Sequence, residues 1–151
     1  MTGADSIDYR ERSAVDDQVL STLHRRAFGS SGSSGSATAV VPWRSRLERW
    51  SISWVTAYAG DELVGFVNVA GDGGAHAFLL DPIVDPQHRH RGIGAELVRR
   101  AADAARSAGC HWLHVDYEPQ LEDFYLGACG FRPTAAGLLS LHSTPGARLP
   151  D

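Results

Sequence analysis

The chain contains no lysine; all 14 of its basic residues are arginine. A lysine Schiff base is therefore excluded, and so is a Walker-type phosphate loop, whose Gly-x-x-x-x-Gly-Lys needs the ammonium. Cysteine is scarce as well. Cys110 and Cys129 are the only two, set in apolar surroundings without the spacing of a zinc site, so they read as buried free thiols and no metal is expected. No apolar run approaches the roughly 20 residues that span a bilayer. The opening Met1-Thr2-Gly3-Ala4-Asp5 is polar and acidic, unlike a signal peptide. A cytoplasmic protein without a membrane partner is the expectation. A formal net charge of −4 argues against nucleic acid as the main ligand, which normally calls for a basic face.

What is present reads as one α/β domain over 1–151, a mixed sheet flanked by helices, with irregular ends at 1–5 and 142–151. Ile7 to Ser13 alternates loosely as a first strand, and Ala14 to Phe28 carries apolar residues at a helical period. Gly29 to Ser36 is a Gly/Ser run and reads as a flexible loop. Pro42 to Trp50 reads as a short helix. Ile52 to Ala59, Leu63 to Val69 and Ala75 to Val84 read as three antiparallel strands joined by Gly-Asp turns. Gly92 to Ala108 has Ile93, Leu97, Val98, Ala101, Ala104 and Ala105 on one side, the pattern of a half-buried helix. Cys110 to Asp116 then reads as a strand parallel to the one ending at Val84, reached by a right-handed crossover. A helix from Pro119 to about Cys129 and a closing strand at Leu138 to Leu141 complete the order.

The stretch from Asp81 to Val98 holds the chemistry. A strand end is followed by Arg89-His90-Arg91, then Gly92-Ile93-Gly94, then a helix. Unpaired N–H groups at a helix N-terminus attract anions, and glycine lets a phosphate approach the backbone. A dinucleotide fold would place its glycine turn after the first strand and supply a third glycine, which is absent here.

Ile83-Val84-Asp85-Pro86 followed by Arg89-His90-Arg91-Gly92-Ile93-Gly94 resembles the (Gln/Arg)-x-x-Gly-x-(Gly/Ala) signature of the GCN5-related N-acetyltransferase (GNAT) family, and Phe124-Tyr125 with Cys129-Gly130-Phe131-Arg132-Pro133-Thr134 resembles its later motif. The resemblance runs from about Ile7 to Leu141 and implies the acyl-CoA N-acyltransferase fold. It implies acetyl-CoA as co-substrate, with pyrophosphate on the backbone of His90 to Gly94 and into Ala95, and with Arg89 and Arg91 assisting. The pantetheine arm would lie against Ile83 and Val84, where that strand splays from its parallel neighbour. His88 and His90 read as solvated loop residues.

For the reaction, the resemblance implies direct transfer of the acetyl group to a primary amine of a small molecule or peptide. A backbone N–H near Val84 would polarise the carbonyl, and a tyrosine would protonate the thiolate. Tyr125 is the candidate, yet the family places its tyrosine four residues before the glycine of Gly-Phe, where Leu126 stands. Either a local bulge re-aims Tyr125 or another group is the acid; packing alone is the competing role. Some relatives carry a basic carboxylate partway along the central strand, where this chain has Phe78. His76, Asp81, Asp116 and Glu118 are the nearby alternatives, and Asp116 and Glu118 would share one side of an extended strand end. Asp81-Pro82 also reads as a bulge. Trp43, Trp50 and Trp54 are either acceptor-site walls or core. The resemblance leaves a homodimer open through the sheet edge or last strands. A non-catalytic acyl-CoA-binding or regulatory module is the alternative function, and a longer acyl-CoA the alternative donor.

Overall fold

A computed structural model describes residues 6–28 and 39–142. The Gly/Ser run at 29–36 and the expected irregular ends, apart from His142, lie outside the described residues. Five strands form one sheet in sequence order: β1 (Ile7–Glu11), β2 (Ser51–Ala59), β3 (Glu62–Gly71), β4 (His76–Val84) and β5 (Trp112–His114). The first four are antiparallel; β5 alone runs parallel to β4. Helix α1 (Asp17–Phe28) and helix α2 (Trp43–Trp50) cover one face, and α3 (Ile93–Ser107) covers the other. This is the mixed sheet with flanking helices that the element order predicts.

Each face has its own core. On the α3 side, Ile93, Leu97, Val98, Ala101 and Ala105 of that helix are buried in one cluster with Val55, Val67, Val69 and Leu79. Burying side chains the size of Ile93 and Leu97 stabilises by about 1.5–3 kcal/mol each. Gly65 permits this approach, because a Cβ there would stand 2.9 Å from Leu97 Cδ1. On the other face Leu20, Leu23, Trp43 and Leu47 pack on Trp54, Phe66 and Ile83. Trp43 and Trp54 are therefore core residues, whereas Trp50 is exposed with the Arg49 guanidinium over its ring. The α1 helix starts after Asp16, whose carboxylate accepts the Val19 N–H at 2.9 Å as a cap.

Three expectations need correction. The strand expected over Cys110 to Asp116 is regular only from Trp112 to His114, because β4 offers it just three partners, His76, Ala77 and Phe78. The helix expected from Pro119 is a 3₁₀ turn at Pro119–Leu121 followed by a π-helical turn at Asp123–Ala128. The closing strand at Leu138 to Leu141 is absent. Residues 132–142 are irregular, and Leu138 and Leu141 are 91% and 90% exposed. A short apolar run becomes a strand only when a neighbour satisfies its backbone, and no described strand pairs with this one.

Candidate active site

Strands β4 and β5 pair through Phe78 and His114 and then part. Beyond that rung, β4 continues to Val84 bonded on its β3 side only, among the described residues. The Asp85 N–H donates to Val64 O at 2.7 Å, toward β3. Successive strand amides alternate in direction, so the Val84 N–H points into the gap. Asp81 supplies a bulge just upstream: it has φ 52°, and two residues separate Leu80 from Ile83 where one separates Phe66 from Asn68 on β3. Ile83 is buried toward α1 and α2, while Val84 leans toward α3.

The gap ends at the start of α3. His90 and Gly92 are both left-handed, with φ of 64° and 78°, and no side chain caps the helix. The first intrahelical bond is from Glu96 N–H to Gly92 O at 3.1 Å, which leaves the amides of Ile93, Gly94 and Ala95 without intrahelical acceptors. Left-handed and right-handed residues in succession turn several N–H groups to one side, forming an anion-binding concavity. At Gly92 the positive φ favours glycine, and no atom lies within 4 Å of a Cβ placed there. Gly94 faces the Phe124 ring, whose Cζ would be 3.2 Å from a Cβ.

The arginines of the loop divide. Arg89 Nη2 donates to Ala27 O at 3.0 Å and so ties the loop to the end of α1, whereas Arg91 is exposed and has no hydrogen bond or ion pair among the described residues. His90 is exposed, as expected, but His88 is not a solvated residue. Its Nδ1 lies 2.9 Å from Asp85 Oδ2, and its side chain is only 15% exposed. Asp85 is fully buried. Arg26 Nη2 approaches its Oδ1 to 2.8 Å, off the line of a hydrogen bond, so that contact is Coulombic. Sequence reading missed this pair because Arg26 and Asp85 meet only once α1 packs on β4.

Tyr125 sits in the core on the α3 side of the sheet and is not among the residues that line the cleft along the β4–β5 edge. Its ring is buried, stacked on Tyr117 at 5.2 Å between centroids and edge-on to Phe131 at 5.8 Å. Burial, with a smaller contribution from nearby Cys129, pushes its phenol up to about 12. The hydroxyl makes no hydrogen bond among the described residues and is not sealed from solvent. Burial also raises the Cys129 thiol; Cys129 and Cys110 are both free.

An open cleft of about 1560 Å³ runs along this edge, and its walls include His76, Phe78, Asp81, His114, Asp116 and Tyr117. Asp116 thus faces the cleft; Glu118 lies outside its wall and accepts the Leu121 N–H with its carbonyl. His114 is a residue that sequence reading did not single out. Only the β4–β5 register, which sets it opposite Phe78, brings it to the cleft. Among the described residues no cluster of three or more His, Cys, Asp or Glu side chains could hold a metal, and no helix is long and apolar enough to cross a membrane.

The chain is similar to several known proteins. A probable glucosamine 6-phosphate N-acetyltransferase 2 of Oryza sativa subsp. japonica is 39% identical over 59 residues, 39% of this chain and 35% of that protein. The match thus spans about a third of that relative's length. The glucosamine-6-phosphate N-acetyltransferase of Arabidopsis thaliana shares the fold with a TM-score of 0.67 at 15% identity, covering 90% of this chain and 99% of that one. The structure of AAC(6')-Iy in complex with the bisubstrate analog CoA-S-monomethyl-acetylneamine gives a TM-score of 0.72 at 17% identity, over 92% of this chain and 99% of that one. The acetyltransferase (GNAT) family model matches residues 18–131, from α1 through the Gly130-Phe131 segment. With the parted strands, the uncapped α3 turn and that match together, the chain belongs to the acetyltransferase (GNAT) family.

Proposed function

We propose that this chain is an acetyl-CoA-dependent N-acetyltransferase that acylates the primary amine of a small molecule by direct transfer. The observation that carries the proposal is a single continuous strip. Where β5 leaves β4, unpaired strand backbone leads through Val84 directly to the uncapped N-terminus of α3. Such a strip suits a ligand with an extended amide-bearing arm and a pyrophosphate end.

Bound acetyl-CoA supplies an activated thioester. The chain's own residues supply the rest. Amides of Ile93, Gly94 and Ala95, with the His90–Gly92 turn, hold the anionic end, and exposed Arg91 adds charge at the rim. The Val84 N–H is a fixed donor for a carbonyl oxygen gaining negative charge, and such preorganised donors act strongly where water is excluded. Tyr125, whose phenol stays protonated at neutral pH, is the proton donor for the departing sulfur. Asp116 attracts a cationic amine into the cleft; Glu118, further along the exposed turn, extends that negative edge. Amino sugars are the first acceptor class to test, since glucosamine 6-phosphate is named for a relative and an acetylneamine analog for a structural neighbour.

Acetyl-CoA is expected to raise the melting temperature, and an amino-sugar panel to release free CoA thiol. Absence of any stabilisation by acetyl-CoA would sink the proposal at its first step.

A further inference from the structure

At the point where the strands part, two imidazoles meet. His76 Nδ1 stands 2.7 Å from His114 Nε2, one ring from β4 and one from β5. The His114 ring lies flat on Phe78, with centroids 4.8 Å apart and planes 18° apart. Both histidines and Phe78 line the open cleft. His114 is half-buried and fixed on two sides, by the stack and by the hydrogen bond; His76 is exposed. The bond to His76 occupies Nε2, and His114 Nδ1 has no partner among the described residues.

Building on the acetyltransferase reading, we propose that His114 is the base that takes the proton from the acceptor's ammonium, with His76 as its positioning residue. An imidazole's ordinary range brackets neutral pH, whereas carboxylates as a class are weak bases there. His114 stands at the mouth of the gap, on the last rung of the ladder before the strands part, and faces the open cleft. Phe78 fills the strand position where some relatives carry a carboxylate, and His114 is its partner across the rung. The basic group has moved one strand over.

The protons balance. With His114 donating its Nε2–H to His76 Nδ1, the lone pair on His114 Nδ1 accepts one proton from R–NH₃⁺ through water in the open cleft, because Val84 lies six residues beyond Phe78 along β4. The freed amine lone pair forms the N–C bond as the C–S bond breaks. The second amine proton replaces the one the sulfur receives, and His114 returns its own to water in the open cleft. Titratable and charged groups that share the cleft with the ring include His76 across the ladder, Asp81 on β4, Asp116 two residues on, and Arg132, whose guanidinium lies over the Trp112 ring at 5.8 Å.

The test uses the full chain, with CoA as ligand and glucosamine 6-phosphate within an amine panel as acceptor. In ¹H–¹⁵N spectra of the free protein, His114 is expected as the Nε2–H tautomer, and His76→Gln is expected to mix its tautomers. His114→Gln is expected to lower kcat at least 100-fold with CoA affinity unchanged and to abolish the acidic limb of the pH–rate profile. Added imidazole should restore part of the activity to His114→Gly. His76→Gln should shift that limb and lower kcat less. His114 found as the Nδ1–H tautomer, or an active enzyme within threefold of wild type after His114→Gln, overturns this assignment alone. A wild-type chain that binds CoA but acetylates no amine overturns the acetyltransferase reading, and this assignment with it.

Discussion

The N–H of Cys129 donates to the carbonyl of Phe124, five residues back, at 3.0 Å. That bond belongs to the π-helical turn over Asp123–Ala128 and holds one residue more than an α turn. One residue corresponds to about 100° of rotation on a regular helix. Tyr125 stands one position off the spacing that the family resemblance implies, and a turn holding one more residue would offset that step. Tyr125→Phe is therefore expected to lower kcat about 10- to 100-fold, with KM for acetyl-CoA changed less than about twofold. Steady-state thiol release would measure it, and an unaltered kcat would reduce Tyr125 to a packing residue.

The same burial gives Tyr125 a signature in stability. Its folded phenol titrates near 12 against an ordinary value of 10.0, so the unfolded chain releases this proton first as pH rises. The contribution is fully present below about pH 10 and is lost between about pH 10 and 12, by an amount on the order of 2 kcal/mol. Urea unfolding across that window should show a steeper alkaline loss for wild type than for Tyr125→Phe. Parallel curves would mean the phenol is not shielded.

Arg26 and Asp85 join α1 to the turn before α3. Removing one member of a pair around a fully buried carboxylate leaves its charge poorly compensated. Arg26→Ala is expected to cost about 1–3 kcal/mol, whereas Arg106→Ala, which breaks only a surface pair with Asp103, should change stability by less than about 0.5 kcal/mol. Chemical denaturation of the two variants side by side decides this. Equal, small effects would show that the buried pair adds nothing.

Gly92 is the position where the proposed cofactor turn and a left-handed backbone coincide. Gly92→Val places a β-branched residue at φ 78° in the amide turn. It should weaken CoA at least tenfold by calorimetry while costing the fold about 1–2 kcal/mol. Full-strength CoA binding by a folded Gly92→Val would place the pyrophosphate elsewhere.

Much of this was legible in the residue order. The α3 face from Ile93 to Ala105 follows a helical period, and β2 to β4 are apolar runs bounded by Gly-Asp turns, so both emerge from local pattern. The turn ahead of α3 was legible because Gly92 and Gly94 mark it. Tertiary partners were not. How far β5 pairs depends on what β4 offers, and three residues was the answer. Leu138 to Leu141 had the composition of a strand but no ladder to join. His114 looked like any polar residue until register set it against His76 and Phe78. At Tyr125 the sequence showed a spacing mismatch and left a local bulge open; the bulge is present as the i to i+5 bond from Cys129 to Phe124.

The central claim is that the β4–β5 gap and the α3 turn serve acetyl transfer to an amine, and a thiol-release assay with product detection tests it most directly. Purified chain, acetyl-CoA and a panel of amines led by glucosamine 6-phosphate are incubated, with free CoA thiol and N-acetylated amine quantified together. The account expects equal amounts of the two for at least one amine, lost in Gly92→Val and reduced in Tyr125→Phe. Stabilisation by acetyl-CoA with neither thiol nor acetylated amine across the panel would contradict it and identify an acyl-CoA-binding module instead.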